Sequence, residues 1–326
     1  MSFQWNLRLK KFLIWRIKNI PNKQFIHFIS IVVGVTSGLF AAAMKNSTYF
    51  FKELITNLNL GYQSLFYFIF PTIGIIITLG IIRFGIKKPV NHGIPSVLYS
   101  LSKRKGIIPA YQMFSSILTA PITIGFGGSA GLEGPTVSGG ASIASNLSRL
   151  LHLNQASRSL LIGCAAAGAM SAIFMAPIAA IIFAIEVFSL DLTLASLLPL
   201  LFASVSALLT TYSFFGSTQL LPFELIDFFN LNHIGYYMIF GLIAGLSAIY
   251  FTKVYLWIEQ FFEAKLKGFQ RILVGGFLLS LLIVAIPPLY GEGFTTINNL
   301  LREDYNAAIG TSFLVEDFDQ TWTIIF

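Results

Sequence analysis

The sequence predicts an all-α, polytopic membrane protein made of two related units of broken helices, and three observations carry that prediction. First, hydrophobic residues make up 55% of the 326 residues and charged ones 11%, with a mean hydropathy of +0.75. A soluble domain needs about a quarter of its residues charged to cover its surface. Second, no Asp, Glu, Lys or Arg occurs in 54–82, 106–132, 159–185, 192–223 or 272–291. Each gap reaches the ~20 residues that a spanning helix needs. Segments 25–44 and 228–252 add two more, with only His27 and His233 as ionisable groups. Third, a pattern recurs. GVTSGLFAAAMKNSTYFFKEL from Gly34 and GLIAGLSAIYFTKVYLWIEQF from Gly241 share Gly-x-x-x-Gly-Leu, then Lys45 or Lys253, aromatics, and Glu53 or Glu259. NHGIPSVLYSL from Asn91 and GEGFTTINNLL from Gly291 follow in the same order. Such internal symmetry is the mark of a membrane fold built from repeats.

Residues 1–24 come first. They hold Arg8, Lys10, Lys11, Arg16, Lys18 and Lys23 and no acid, and lack the apolar core and cleavage site of a secretory signal. They read as a basic amphipathic helix on the cytoplasmic leaflet, with Phe3, Trp5, Phe12, Leu13 and Trp15 towards lipid. The positive-inside rule then places the N-terminus in the cytoplasm, which points to the cell (inner) membrane. Anionic headgroups account for the net charge of +7 without nucleic acid.

A first membrane unit is expected over 25–213, and a linker with the start of a second over 214–326. The second unit is much shorter than the first, so the sequence reads as a fragment whose partner unit is incomplete. The single cysteine, Cys164, lies in the small-residue run GCAAAGAMSA and is read as a packing residue. Two stretches are short. GIPSVLYSLS, from Gly93, reaches only ~15 Å as a helix, half the hydrocarbon thickness. The stretch 135–149 is short as well. Broken helices at membrane depth are tolerated where they line a site, so these breaks mark the functional region.

Glu133 lies at one of them and is the only charge between Lys105 and Arg149. A carboxylate near the bilayer centre costs about 2.5–3.5 kcal/mol on insertion scales. Gly134-Pro135 beside it fits a helix start, where free N–H groups and the positive dipole end favour an anion. Two or three such donors, at about 1.5–3 kcal/mol each, offset the cost. A place that suits a carboxylate also suits a halide. An anion can displace the Glu133 side chain, and protonation removes it as a competitor. The alternative from these residues alone is a structural Glu133 that pairs with a distant Arg or caps its own helix. No His, Asp, Lys or Cys lies in 106–148, so an intramembrane enzyme with Glu133 as acid or base lacks a partner group in sequence. A cation-coupled solute carrier, which also uses repeats and broken helices, is the other alternative. No cofactor and no metal-ligand spacing is evident.

GLEGPTV, from Gly131, resembles the G-(K/R)-E-G-P segment of the CLC family of chloride channels and transporters. NHGIP resembles its G-S-G-I-P segment, and APIAAIIFAIEVF its A-P-x-x-G-x-x-F-x-x-E, all in the family's order. The resemblance implies a CLC-type inverted repeat of broken and tilted helices, chloride transport, and a homodimer with one pore per subunit. It makes Glu133 the gating glutamate. His92, Gly93, Ile94 and Pro95 match one anion-binding segment, and Gly131, Leu132, Gly134 and Pro135 a second. A third segment, G-x-F-x-P, and a later pore Tyr have no counterpart before Phe326.

Two departures matter. His92 stands where the family carries Ser, so altered selectivity or pH dependence is expected; unchanged profiles in His92→Ser would refute this. Glu186 matches a glutamate general to the family, but Val187 stands where proton-coupled members carry an acid. One residue along a helix turns a side chain by about 100°, so Glu186 does not replace it. A channel-like or weakly coupled protein is therefore expected ahead of a strict chloride/proton antiporter.

Overall fold

Proline opens the first long helix. After a short helical stretch at 13–19, Pro21 starts α1 (Asn22–Thr56). The chain's structure is a computed structural model that describes residues 11, 13–57, 63–90, 93–191, 193–216, 230–302 and 304, with the backbone only for 63–67. At 35 residues, α1 is roughly 50 Å long, well beyond the ~30 Å hydrocarbon core. Arg16 departs from the lipid-facing basic pattern. Its guanidinium lies 3.8 Å from the centroid of the Phe25 ring and donates to Asn22 Oδ1. It therefore docks the N-terminal stretch onto α1. Trp15 is exposed.

The described chain continues as α2 (Gln63–Gly80), which passes into a π-helical turn (Ile81–Ile86), then α3 (Ile94–Lys103) and α4 (Tyr111–Gly125). Next come α5 (Glu133–Leu150), α6 (Gln155–Phe174), α7 (Pro177–Phe188) and α8 (Leu194–Phe215). A 3₁₀ turn (Leu231–His233) leads to α9 (Ile234–Lys265), α10 (Phe269–Ala285), a second 3₁₀ turn (Pro287–Leu289) and α11 (Phe294–Leu301). Among the described residues there is no strand, and five helical segments are long and apolar enough to cross a membrane. The fold is the all-α polytopic one the sequence predicts.

The charge-free gaps do not each become one helix. Segment 159–185 is broken where Met175 adopts a left-handed conformation (φ 56°) and Pro177 begins α7. Proline suits a first helical turn, where its missing N–H is not needed. Segment 106–132 forms a helix only over α4, and its remainder is the glycine-rich approach to Glu133. Absence of charge marks membrane depth; Gly and Pro decide where the helices stop.

The core lies between α1, α5, α6 and α8, and small residues make it. A Cβ on Gly34 would meet Ala203 O at 2.3 Å, and one on Gly38 would meet Ala207 O at 2.7 Å. The backbones of α1 and α8 therefore touch. A Cβ on Gly139 would fall 2.3 Å from the Phe40 ring, which fixes α5 against α1. On α6, the run from Leu161 to Ala167 is fully buried, Cys164 included. Lipid tails are as apolar as leucine, so helices in a bilayer associate through this close packing and through polar links. Ser171 Oγ donates to Ser204 O (2.9 Å), and Ser204 Oγ to Pro177 O (2.8 Å), which ties α6, α7 and α8 together.

α10 packs against α2. Phe68 of α2 packs edge-on against Phe277 (5.6 Å), and Thr72 Oγ1 and Ser280 Oγ are 3.0 Å apart. By contrast, α9 has no buried residue.

Candidate anion site

Two helix starts meet at the predicted region. Gly93 precedes α3 with φ +89°, a conformation that favours glycine, and Ile94 and Pro95 are the first helical residues. Ser96 Oγ donates to Gly93 O (2.8 Å) and closes this turn. The other helix, α5, begins at Glu133, with Gly134 and Pro135 in its first turn and Thr136 N–H donating to Leu132 O (2.9 Å). A Cβ built on Gly134 would lie 3.4 Å from Gly93 Cα, so the two starts are in contact. The structure thus brings Gly93, Ile94 and Pro95 beside Gly131 to Pro135. His92 lies outside the described residues.

Glu133 is half-buried, and its carboxylate folds back over Gly131. A Cβ on Gly131 would stand 1.8 Å from Glu133 Oε2, so only a bare Cα admits this rotamer. Leu132 anchors the turn from the other side. It is 3% exposed and packs with Phe40, Met44, Ala120 and Ile124. The Glu133 carboxyl group therefore sits over glycine at a helix start, the end at which a first turn leaves N–H groups without intrahelical partners.

The approach to Glu133 is held by Tyr290 and Gly291. Gly127 has φ +98°, and a Cβ there would meet the Tyr290 ring at 2.1 Å. Gly291 N–H donates to Gly127 O (3.4 Å), which sets the loop 290–293 against the glycine-rich turn. Next to it, Phe294 packs edge-on against Phe174 at the end of α6 (6.2 Å). Lys45 of α1 donates to Ile173 O (3.1 Å). Lys45, Lys52, Tyr49, Tyr290 and Glu292 line a cavity of about 240 Å³ here. Burial pushes the Glu292 carboxyl up to about 7, helped by the nearby charge of Glu133 and opposed by Lys45 and Lys52.

Sequence reasoning used Lys45 only as a marker of the repeat and gave Glu292 no role. Their signal was present: Lys45 is the one Lys, Arg, Asp or Glu between Lys23 and Lys52, and Glu292 ends the charge-free run 272–291. Glu292 also holds the place in GEGF that His92 holds in NHGI, each before a positive-φ glycine that starts a short helix.

Glu186 and Val187 lie elsewhere, near the end of α7. Glu186 is exposed, while Val187 is half-buried against the core around α6. The two side chains occupy different faces, as helical geometry requires. The remaining histidines stay apart from the site. His27 packs edge-on against Phe202 (5.5 Å), His233 against Tyr236 (6.2 Å), and His152 Nδ1 is 3.1 Å from Leu150 O.

These features define a class: a membrane helix bundle in which the starts of two short helices meet beside one carboxylate. The family described as Voltage gated chloride channel matches residues 73–318, most of the chain, and the protein belongs to that family. A ClcB-like chloride channel protein of Ralstonia nicotianae is 26% identical over 71% of this chain and 55% of its own length. The H(+)/Cl(-) exchange transporter ClcA of Vibrio cholerae is 26% identical over 57% of this chain and 42% of its own. The chain thus spans about half the length of these relatives. The crystal structure of a CLC-type fluoride/proton antiporter superposes with a TM-score of 0.71 at 25% identity, covering 85% of this chain and 69% of that one.

Proposed function

We propose that the protein moves small anions, chloride first among them, through a pore gated by Glu133. The observation that carries this reading is the Glu133 carboxylate lying over Gly131 at the start of α5, against the start of α3. Family membership supports the substrate class. Gly93, Ile94, Pro95, Gly131, Leu132, Gly134 and Pro135 supply backbone to the anion, and His92 adds a side-chain donor. An ionised Glu133 occupies the anion's place at the helix end. Protonation or displacement frees it, because a neutral carboxyl competes poorly for N–H donors and positive dipole ends. The protein works as a homodimer in lipid, with its N-terminus in the cytoplasm and membrane units at 25–213 and from 214 on. The exposed apolar faces of α1 (Phe28, Ile31, Leu39) and α8 (Leu201, Phe202, Leu209) suit a lipid or subunit neighbour.

Chloride efflux from liposomes tests the gate. Wild-type flux should rise as pH falls, and Glu133→Ala should conduct at a rate independent of pH. A Glu133→Ala protein with unchanged pH dependence refutes the assignment.

On coupling, Val187 favours a channel-like or weakly coupled protein, since its side chain carries no proton. Exchange is the second reading, favoured by the half-buried Glu292 near Glu133, a carboxyl that titrates in the neutral range. A proton gradient that shifts the chloride reversal potential would decide for exchange; no shift would decide for conductance.

A further inference from the structure

The cavity beside the candidate pore has the composition of a second ligand site. Lys45 and Lys52 are seven residues apart on α1 and so lie on one face, about 10 Å apart along the axis. Tyr49 stands between them on that face, and Glu292 faces them from the loop before α11. Two ammonium groups share this region with Glu292 on the cavity wall and with the nearby Glu133. Among the described residues, the other elements that bound the cavity contribute no charge: Ile124 comes from α4 and Phe215 from α8. Each carboxylate that becomes neutral leaves one lysine charge uncompensated. Lys45 is held, not free to follow solvent, while Lys52 is exposed. Lys45 is tied to Ile173 O at the end of α6, and its Nζ lies 5.5 Å from the Phe215 ring centroid.

We propose that this cavity is an antechamber that holds a small monovalent anion, a halide, between Lys45 and Lys52 in competition with the Glu292 carboxylate. The inference rests on the anion-transport reading and extends it to residues that reading does not use. Three points support it. The cavity of about 240 Å³ has room for a hydrated halide. The Tyr290–Gly127 contact sets it against the turn that leads to Glu133, so an anion leaving the antechamber enters beside the gate. Glu292 also stands at the position that answers to His92 in the repeat, which the resemblance gives to anion contact in the first unit. The electrostatics add direction. Glu292 is raised to about 7 by burial first and by Glu133 second, so the competitor is half neutral near pH 7. Anion binding and proton uptake at Glu292 then favour each other, because linkage is reciprocal.

Isothermal titration of sodium chloride into the detergent-solubilised protein tests this, with sodium gluconate as the large-anion control. In Glu133→Gln the pore glutamate no longer titrates. Chloride affinity should then fall about tenfold per pH unit above a midpoint somewhat below 7, since the Glu133 charge that raised Glu292 is gone. Chloride binding should also take up protons, read from buffers of different ionisation heat. Adding Glu292→Gln should abolish both the slope and the proton uptake. Adding Lys52→Gln, a change at an exposed position, should weaken binding about fivefold at pH 6. A pH slope that survives Glu292→Gln overturns the proposal, as does a flat Glu133→Gln profile. Wild-type chloride binding with either result leaves the transport reading intact. No chloride binding to any of these proteins overturns both.

Discussion

Two long helices, α1 and α9, carry the same Gly-x-x-x-Gly-Leu pattern, yet one is buried and the other bare. On α1, Gly34 and Gly38 let α8 approach to backbone contact. On α9, Gly241 and Gly245 have no atom of the described residues within 4 Å of a built Cβ, and the helix has no buried residue. The motif therefore states a capacity for close packing. A neighbour with small residues in register is what turns it into stability, and α8 supplies Ala203, Ser206 and Ala207 to α1.

Substitution at the two positions should give opposite signs, and this is the largest expected effect. Gly34→Ala would place its Cβ 2.1–2.7 Å from Ser206 and Ala203, which forces helices apart and should cost about 1–3 kcal/mol or more. Gly241→Ala meets no atom and should gain up to about 1 kcal/mol of helix propensity. Thermal unfolding in detergent measures both, and equal losses would show that α9 is packed.

The pore turn offers the next effect. Gly131→Ala should push the Glu133 carboxylate off its seat, since a methyl at that Cα occupies the place of Oε2. Flux should then lose most of its pH dependence, as in Glu133→Ala, while yield stays near wild type. An unchanged pH profile would mean that the rotamer over Gly131 is not the one that blocks.

The smallest effect concerns stability. Glu292 has a folded value of about 7 against 4.5 for the free group. The folded state thus holds the proton longer, so stability conferred on the neutral form is full below about 4.5 and is lost as pH rises through 7. Glu292→Gln should remove this loss. The expected gain over wild type at pH 8, relative to pH 4.5, is about 1 kcal/mol, held to that size because Glu292 is only partly buried. A variant that tracks wild type across this range would place Glu292 in water.

These comparisons also show what sequence can reveal. Membrane depth was legible from the spacing of charges, and Glu133 from its isolation among them. The breaks at Gly93 and Pro135 were legible because each residue type limits the backbone in a known way. The Lys45–Glu292 cavity was not, because it joins residues about 250 positions apart whose meeting depends on how α1, α6 and α11 pack. Neither was the role of Arg16, whose charge matched a lipid-facing pattern while its side chain lies on Phe25. Local chemistry is written in the chain; convergence of distant side chains is a product of tertiary packing.

The contact of Tyr290 with Gly127 bears on how the protein is made. The turn that leads to Glu133 is synthesised more than 160 residues before the aromatic ring that covers it. At about 5–20 residues per second, a ribosome needs roughly 8–30 s to cross that interval. Until it ends, the pore turn stays uncovered by that ring, and α5 to α8 are themselves made in the meantime. Closing the site is therefore a late event of biogenesis, timed by the arrival of Tyr290.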